Sequence, residues 1–198
     1  KGNYAAYTSP FHVDLQFLYP GALTGDPQPL RSIPDLSQTL AFSEVRTLED
    51  PADQRGAWAL SWNGASLLAF DMHPDNIPIK KNGTGVHDPY LTENRAPYSP
   101  SSESEDEAQP PNNQGPNFDT LNNCTVGSTV ERRSLSERMP CALQSAAIGI
   151  GVHGHMSAAP RSLHPGGANG AYLDAHVTFL LDDVDVYAMA HLISVTDN

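Results

Sequence analysis

Basic residues are scarce in this chain. Its 198 residues include 11 Lys and Arg against 23 Asp and Glu, a formal net charge of −12, and no basic cluster interrupts the acidic balance. A surface of that sign repels phosphate backbones, so no nucleic-acid partner is expected. Long apolar runs are lacking as well: nothing approaches the ~18 to 20 apolar residues that span a bilayer, and Lys1-Gly2-Asn3-Tyr4 lacks the pattern of a signal peptide. Cysteine is limited to Cys124 and Cys141. In an oxidising compartment their spacing suits a disulfide worth ~3 kcal/mol, and in a reducing one they would be two buried thiols. Aromatics reach 8% and hydrophobic residues 39%, while 17 prolines and 15 glycines break up the chain, so a modest core threaded by long loops is expected.

What is present reads as short strands. Val13, Leu15, Phe17 and Tyr19 alternate with more polar neighbours, and Leu40, Phe42 and Val45 mark a second run. Gly56 to Trp62 and Ser66 to His73 are predicted to form an antiparallel pair around Asn63-Gly64, a dipeptide suited to a tight hairpin turn. Apolar periodicity then disappears over a polar loop at about 74–118, most polar at Ser99 to Glu107. Ser128-Thr129-Val130-Glu131 predicts a capping box opening a short helix that Pro140 limits, and Asp185 predicts the cap of another, from Val186 to about Leu192. The expected architecture is mainly β, α+β at most: a single antiparallel-sheet domain over residues 1–198, with long irregular loops and one or two short helices.

Motifs of catalysis are incomplete. Gly64-Ala65-Ser66 fails as a nucleophile elbow because Leu68 takes the final glycine position. Gly149 to Gly154 fits Gly-x-Gly-x-x-Gly but lacks a βαβ frame, since Pro160 and Pro165 follow closely. His153, His155, His164, His176 and His191 collect near Asp174, Asp182, Asp183 and Asp185, without a metal-binding spacing such as His-Glu-x-x-His. A hydrolase built on His153, His155 and Asp174 is the weakest of the readings. No enzyme activity, metal or cofactor is therefore expected. Glycan acceptor candidates are the sequons at Asn82 and Asn123 and the Ser/Pro-rich positions Ser99, Ser101 and Ser102.

The C-terminal stretch His164-Pro165-Gly166-Gly167-Ala168-Asn169-Gly170-Ala171-Tyr172-Leu173-Asp174-Ala175-His176-Val177-Thr178-Phe179-Leu180 reads as a histidine-bearing loop followed by a hairpin hinged at Asp174-Ala175. It resembles a prepilin-like family abundant in planctomycete bacteria, classed as a domain of unknown function, whose C-terminus reads His, nine residues, Asp-Gly, then an apolar strand. His164 and Asp174 hold that spacing, and Ala175 replaces the family glycine. Ser37 to Val45, Pro111 to Asn117 and Arg138 to Cys141 are similar to further elements of the family. The resemblance implies an exported protein related to type IV pilins and pseudopilins, normally made with an N-terminal apolar helix; a membrane connection would run only through that segment, which is missing here.

The function expected is a structural subunit of an extracellular or cell-surface bacterial fibre whose partner is itself, a homopolymer formed by strand addition and carrying covalent glycans. Asn3, Tyr4, Ala5, Ala6 and Tyr7 are the candidate donor segment, being short, apolar and first in the chain. The alternative is a secreted carbohydrate- or calcium-binding module using Trp58 and Trp62, which share a face if both lie on one strand.

Overall fold

A computed structural model describes residues 1–75, 97–115, 117–143 and 156–196. Strands β1 (Tyr4–Ser9), β2 (Leu40–Glu44), β3 (Leu67–Ala69), β6 (Gly167–Tyr172) and β7 (Val177–Leu181) form one sheet in the order β3-β1-β2-β6-β7. β4 (Asp119–Leu121) and β5 (Cys141–Leu143) make a second, two-stranded sheet. The mainly β expectation holds, but the pairing is mixed rather than purely antiparallel. β3 runs parallel to β1 and β4 parallel to β5.

Two α-helices complete the fold among the described residues. α1 (Thr129–Ser136) starts where the capping box is written: Ser128 Oγ accepts from the Glu131 N–H at 3.1 Å, and the Glu131 carboxylate accepts in return from the Gly127 N–H. α2 (Val186–Ile193) is capped by Asp185, whose carboxylate accepts from the Ala188 N–H at 2.9 Å. Met189, Ala190 and Ile193 form a buried stripe at helical spacing, and through it α2 packs on β1 and β2. The main core gathers Tyr7, Phe11, Leu15, Leu18, Tyr19, Leu40, Leu68, Phe70 and Met72 beneath that stripe.

Two expected strand regions are turns. Val13–Leu15 is a 3-10 turn, and the buried residues that follow, Leu15, Leu18 and Tyr19, have the 3–4 spacing of a coiled segment instead of alternation. Leu18, assigned to the polar face by the strand reading, is 1% exposed. Between Gly56 and Trp62 the chain also turns, with Ala57 N–H donating to Gln54 O and Leu60 N–H to Ala57 O. That run has no β-branched residue to favour extension. Gly64 does take positive φ, +66°, but β3 continues onto the open edge of β1, so no hairpin forms there. Trp58 and Trp62 consequently lose the shared strand face. Trp58 lies across Gly2 and is 63% exposed, whereas Trp62 is half-buried.

The stretch 74–118 is partly outside the described residues. Its later part is packed rather than loose: Ser102–Glu107 forms a 3-10 turn, and Tyr98, Ala108 and Gln109 are buried.

Candidate functional site

The C-terminal hairpin forms as written, with a different hinge. β6 and β7 pair antiparallel from Gly167↔Leu181 to Ala171↔Val177. Tyr172 N–H donates to His176 O and Ala175 N–H to Tyr172 O, closing a three-residue loop, Leu173-Asp174-Ala175. Ala175 sits at φ +73°, the left-handed position of a type I turn followed by a bulge. Asp174 stabilises the return: its Oδ1 accepts from the His176 N–H at 3.1 Å and lies 2.6 Å from His176 Nδ1. Those hydrogen bonds, from the backbone and then the ring, hold its carboxyl below the usual carboxylate range. The His176 ring stacks on Tyr172 at 4.2 Å. His164 lies at the other end of the hairpin, 3.4 Å from Glu44 and edge-on to Phe179. The two signature residues therefore bracket β6 and do not share a site.

β7 is the outer strand of the main sheet, and among the described residues nothing pairs with its free edge. The bonds Tyr172 N–H to His176 O and Asp182 N–H to Gly166 O fix the alternation of the ladder. Thr178 and Leu180 face β6 with their main-chain groups, while those of Val177, Phe179 and Leu181 point outward. The side chains of these same three residues are 63%, 44% and 53% exposed, and Leu180 between them is buried in the core. An unpaired edge and an apolar stripe thus coincide on one strand.

The opposite edge is closed. Along β3, Gly64 N–H donates to Leu67 O and Ala158 N–H to Ala69 O. The expected donor segment, Asn3 to Tyr7, is already used: from Tyr4 onward it belongs to β1, which pairs with β2 on one side and β3 on the other. Ala5 and Tyr7 are buried there, so this segment is not free to extend a neighbour's sheet.

Three of the four segments carrying the resemblance, all but Ser37 to Val45, meet around a cleft of about 530 Å3 lined by Asn112, Gln114, Arg138, His164 and Gly166. Their amides act as staples. Asn112 Nδ2 donates to Asp182 Oδ1 at 2.8 Å, its Oδ1 accepts from the Ser162 N–H, and Gln114 Nε2 donates to Arg138 O.

Behind the second sheet lies a buried ionic centre. Asp119 Oδ2 accepts from Arg55 Nε at 3.0 Å, and both its oxygens face the fork of Arg161, with Arg161 Nη2 2.8 Å from Oδ1. Asp53 accepts from Arg55 Nη1 at 3.2 Å. The two guanidiniums and two carboxylates balance while at most 1% exposed, which makes their burial tolerable. Desolvation opposes the charged form of Asp119, yet Arg161 and then Arg55 outweigh it and lower its pKa. Cys124 and Cys141 are joined in a disulfide that ties β5 to the turn after β4.

A hydrogen-bonded chain leads from this centre to a second one. Arg161 Nη1 donates to Asn113 O, Asn113 Nδ2 to Gln109 Oε1, and Gln109 Nε2 to Ser157 Oγ. Ser157 Oγ donates to Asp71 Oδ2 at 2.6 Å. Asp71 Oδ1 lies 2.6 Å from His12 Nε2 and 3.4 Å from His73 Nε2. Burial works against a charged His12, but the adjacent Asp71 carboxylate raises its pKa overall, and that of Asp71 is lowered in turn against the same burial cost.

His12, Asp71 and His73 are the one group among the described residues whose donor atoms gather closely enough to hold a metal ion. Sequence reading missed them, because His12 and Asp71 are 59 residues apart; the only local signal was the Asp71-x-His73 spacing. The late histidines do not converge: His164 faces Glu44, His176 Asp174, and His191 the Tyr98 ring. His153 and His155 lie outside the described residues.

Of the glycan candidates, Ser99 and Ser102 are exposed, and Ser101 accepts from the Glu103 N–H. Asn123 is half-buried with its Oδ1 enclosed, and Asn82 lies outside the described residues.

Among the described residues no helix is long and apolar enough to cross a membrane. The chain belongs to the family of proteins of unknown function DUF1559, whose model matches residues 3–187. No curated protein and no solved structure matches it.

Proposed function

We propose that this DUF1559 chain is a structural subunit of an extracellular bacterial fibre, related to the pilins, and that β7 is one of its assembly surfaces. The observation that carries the reading is the coincidence of outward main-chain groups with exposed Val177, Phe179 and Leu181 on one unpaired edge. An unpaired apolar edge of this kind is a template for strand pairing.

The occupant is β7 of a second copy, running antiparallel about Phe179. In that register Val177 of one copy faces Leu181 of the other, and the apolar side chains of both copies fall on one face. His176 then stands opposite Asp182 of the second copy, giving opposite charge character at both ends of the ladder. Such a contact is isologous and closes a dimer, so growth into a fibre uses a further, head-to-tail contact between dimers. The disulfide accords with export to an oxidising compartment. Exposed Ser99 and Ser102 are the glycan positions that fit an outer surface.

The test is sedimentation and electron microscopy of the purified chain beside Phe179→Lys. Wild type associates, more strongly at higher salt because a formal charge of −12 per copy is screened, and Phe179→Lys remains monomeric with an unchanged melting temperature. A wild type that stays monomeric at high concentration and high salt, or a Phe179→Lys chain that assembles equally, would overturn the reading.

A further inference from the structure

We infer that His12, Asp71 and His73 form a binding site for one divalent transition-metal ion, closed by Glu107 as fourth ligand, with zinc as the ion whose chemistry fits. The site is independent of the β7 edge. Two imidazole nitrogens with carboxylate oxygens are a borderline-soft donor set, suited to zinc and poor for calcium or magnesium, which take oxygen alone.

Three of the four donors are already gathered: the ligand atoms of His12, Asp71 and His73 all lie within 4.8 Å of one another. In tetrahedral zinc coordination, ligand atoms about 2.0–2.1 Å from the metal sit about 3.3 Å from one another. His73 Nε2 and Asp71 Oδ1 are already 3.4 Å apart. His12 Nε2 and Asp71 Oδ1 are hydrogen-bonded at 2.6 Å; the ion replaces the proton between them, and the pair opens by a fraction of an ångström. His73 Nε2 also lies 2.9 Å from Glu107 Oε2, on a carboxylate that is 46% exposed and able to swing in from the solvent side.

The surroundings hold the donors in place. Side-chain exposure is 2% at His12, 3% at Asp71 and 18% at His73. Phe11 stacks on His12 at 4.0 Å and meets His73 edge-on at 4.6 Å, fixing both rings. The second oxygen of Asp71 is occupied by Ser157 Oγ and Asn117 Nδ2, the outer support that orients a ligating carboxylate. The ligands come from the segment after β1, the segment after β3 and the 3-10 turn Ser102–Glu107. An ion here would pin that turn to the main sheet.

Isothermal titration of zinc chloride into the chelator-treated, disulfide-intact chain tests this, paired with anomalous diffraction at the zinc edge. One ion per chain is expected, with its anomalous peak within bonding distance of His12 Nε2, His73 Nε2 and Asp71 Oδ1. His73→Gln weakens binding by at least about tenfold, as does Glu107→Gln on the surface, where folding is not at stake. The double variant His164→Gln/His176→Gln binds as wild type does. Absence of stoichiometric binding, a peak elsewhere, or undiminished binding in folded His73→Gln refutes the site.

Discussion

Replacing Ala175 by glycine should stabilise the protein, although it removes a side-chain atom from a hairpin. Ala175 holds φ +73° because the loop closes through Ala175 N–H to Tyr172 O and Tyr172 N–H to His176 O, which demands a left-handed residue at this position. The left-handed conformation costs an L-residue about 1–2 kcal/mol through the clash of Cβ with the backbone. Glycine escapes that cost but gives up about 0.5–1 kcal/mol through its freer unfolded chain. The net gain is about 0.5–1 kcal/mol. For a domain of this size that corresponds to a rise of roughly 1–4 °C in melting temperature. Urea unfolding followed by far-UV circular dichroism should show the midpoint moving up at constant slope. Ala175→Val serves as the opposite control, since a β-branched residue at positive φ should lower the midpoint. A lower midpoint for Ala175→Gly would refute the reasoning and place the native residue at negative φ.

Two further perturbations probe what holds the smaller sheet. Replacing both Cys124 and Cys141 by alanine should cost about 3 kcal/mol, read as a fall in the urea midpoint that reductant reproduces in wild type but not in the variant. Asp119→Asn should cost about 3–5 kcal/mol, because it leaves Arg55 and Arg161 buried with too little negative charge. The same carboxylate sets an acid limit. Its pKa is depressed in the folded state, so its contribution is complete above the unfolded value of about 3.9 and is lost as pH falls through the folded one. Urea midpoints of wild type should therefore drop as pH falls below about 4, and Asp119→Asn should show a shallower drop; equal slopes would mean that other carboxylates dominate.

Local grammar was legible and long-range assembly was not. Ser128 and Asp185 announce their helices because a capping side chain acts within three residues of itself, and the β6–β7 hairpin is likewise written in one continuous stretch. Val13 to Tyr19 misled because alternation over so few residues also accommodates a turn that buries Leu15, Leu18 and Tyr19. β3 misled because its partner was decided by the free edge of β1, some sixty residues earlier, rather than by the glycine turn preceding it. The polar centres were invisible for the same reason. Arg55, Asp119 and Arg161 are unremarkable as sequence and become a unit only when two loops converge on β4.

The two edges of the main sheet differ in a way that bears on assembly. At β3, three residues long, the outer groups of Leu67 and Ala69 are met by Gly64 and Ala158 of the same chain. β7 is longer, and it carries none of the devices that usually blunt an edge: Val-Thr-Phe-Leu-Leu contains no lysine, no proline and no inward charge, and its pairing with β6 runs through five residues without a bulge. The acidic residues that could repel a neighbour, Asp182, Asp183 and Asp185, lie just past the strand's end, where the antiparallel register sets Asp182 against His176. A chain with a formal charge of −12 therefore keeps charge off the open edge strand of its main sheet. That arrangement favours association confined to a single register. Shifting the pairing by two residues, so that Val177 meets Phe179, moves His176 off Asp182 and sets Leu181 against Ala175, which lies in the hairpin loop beyond the strand. Phe179→Lys should thus abolish association, whereas the double variant Val177→Leu/Leu181→Val, which preserves the paired set, should retain it; loss of association in the double variant would show that β7 does not pair with itself.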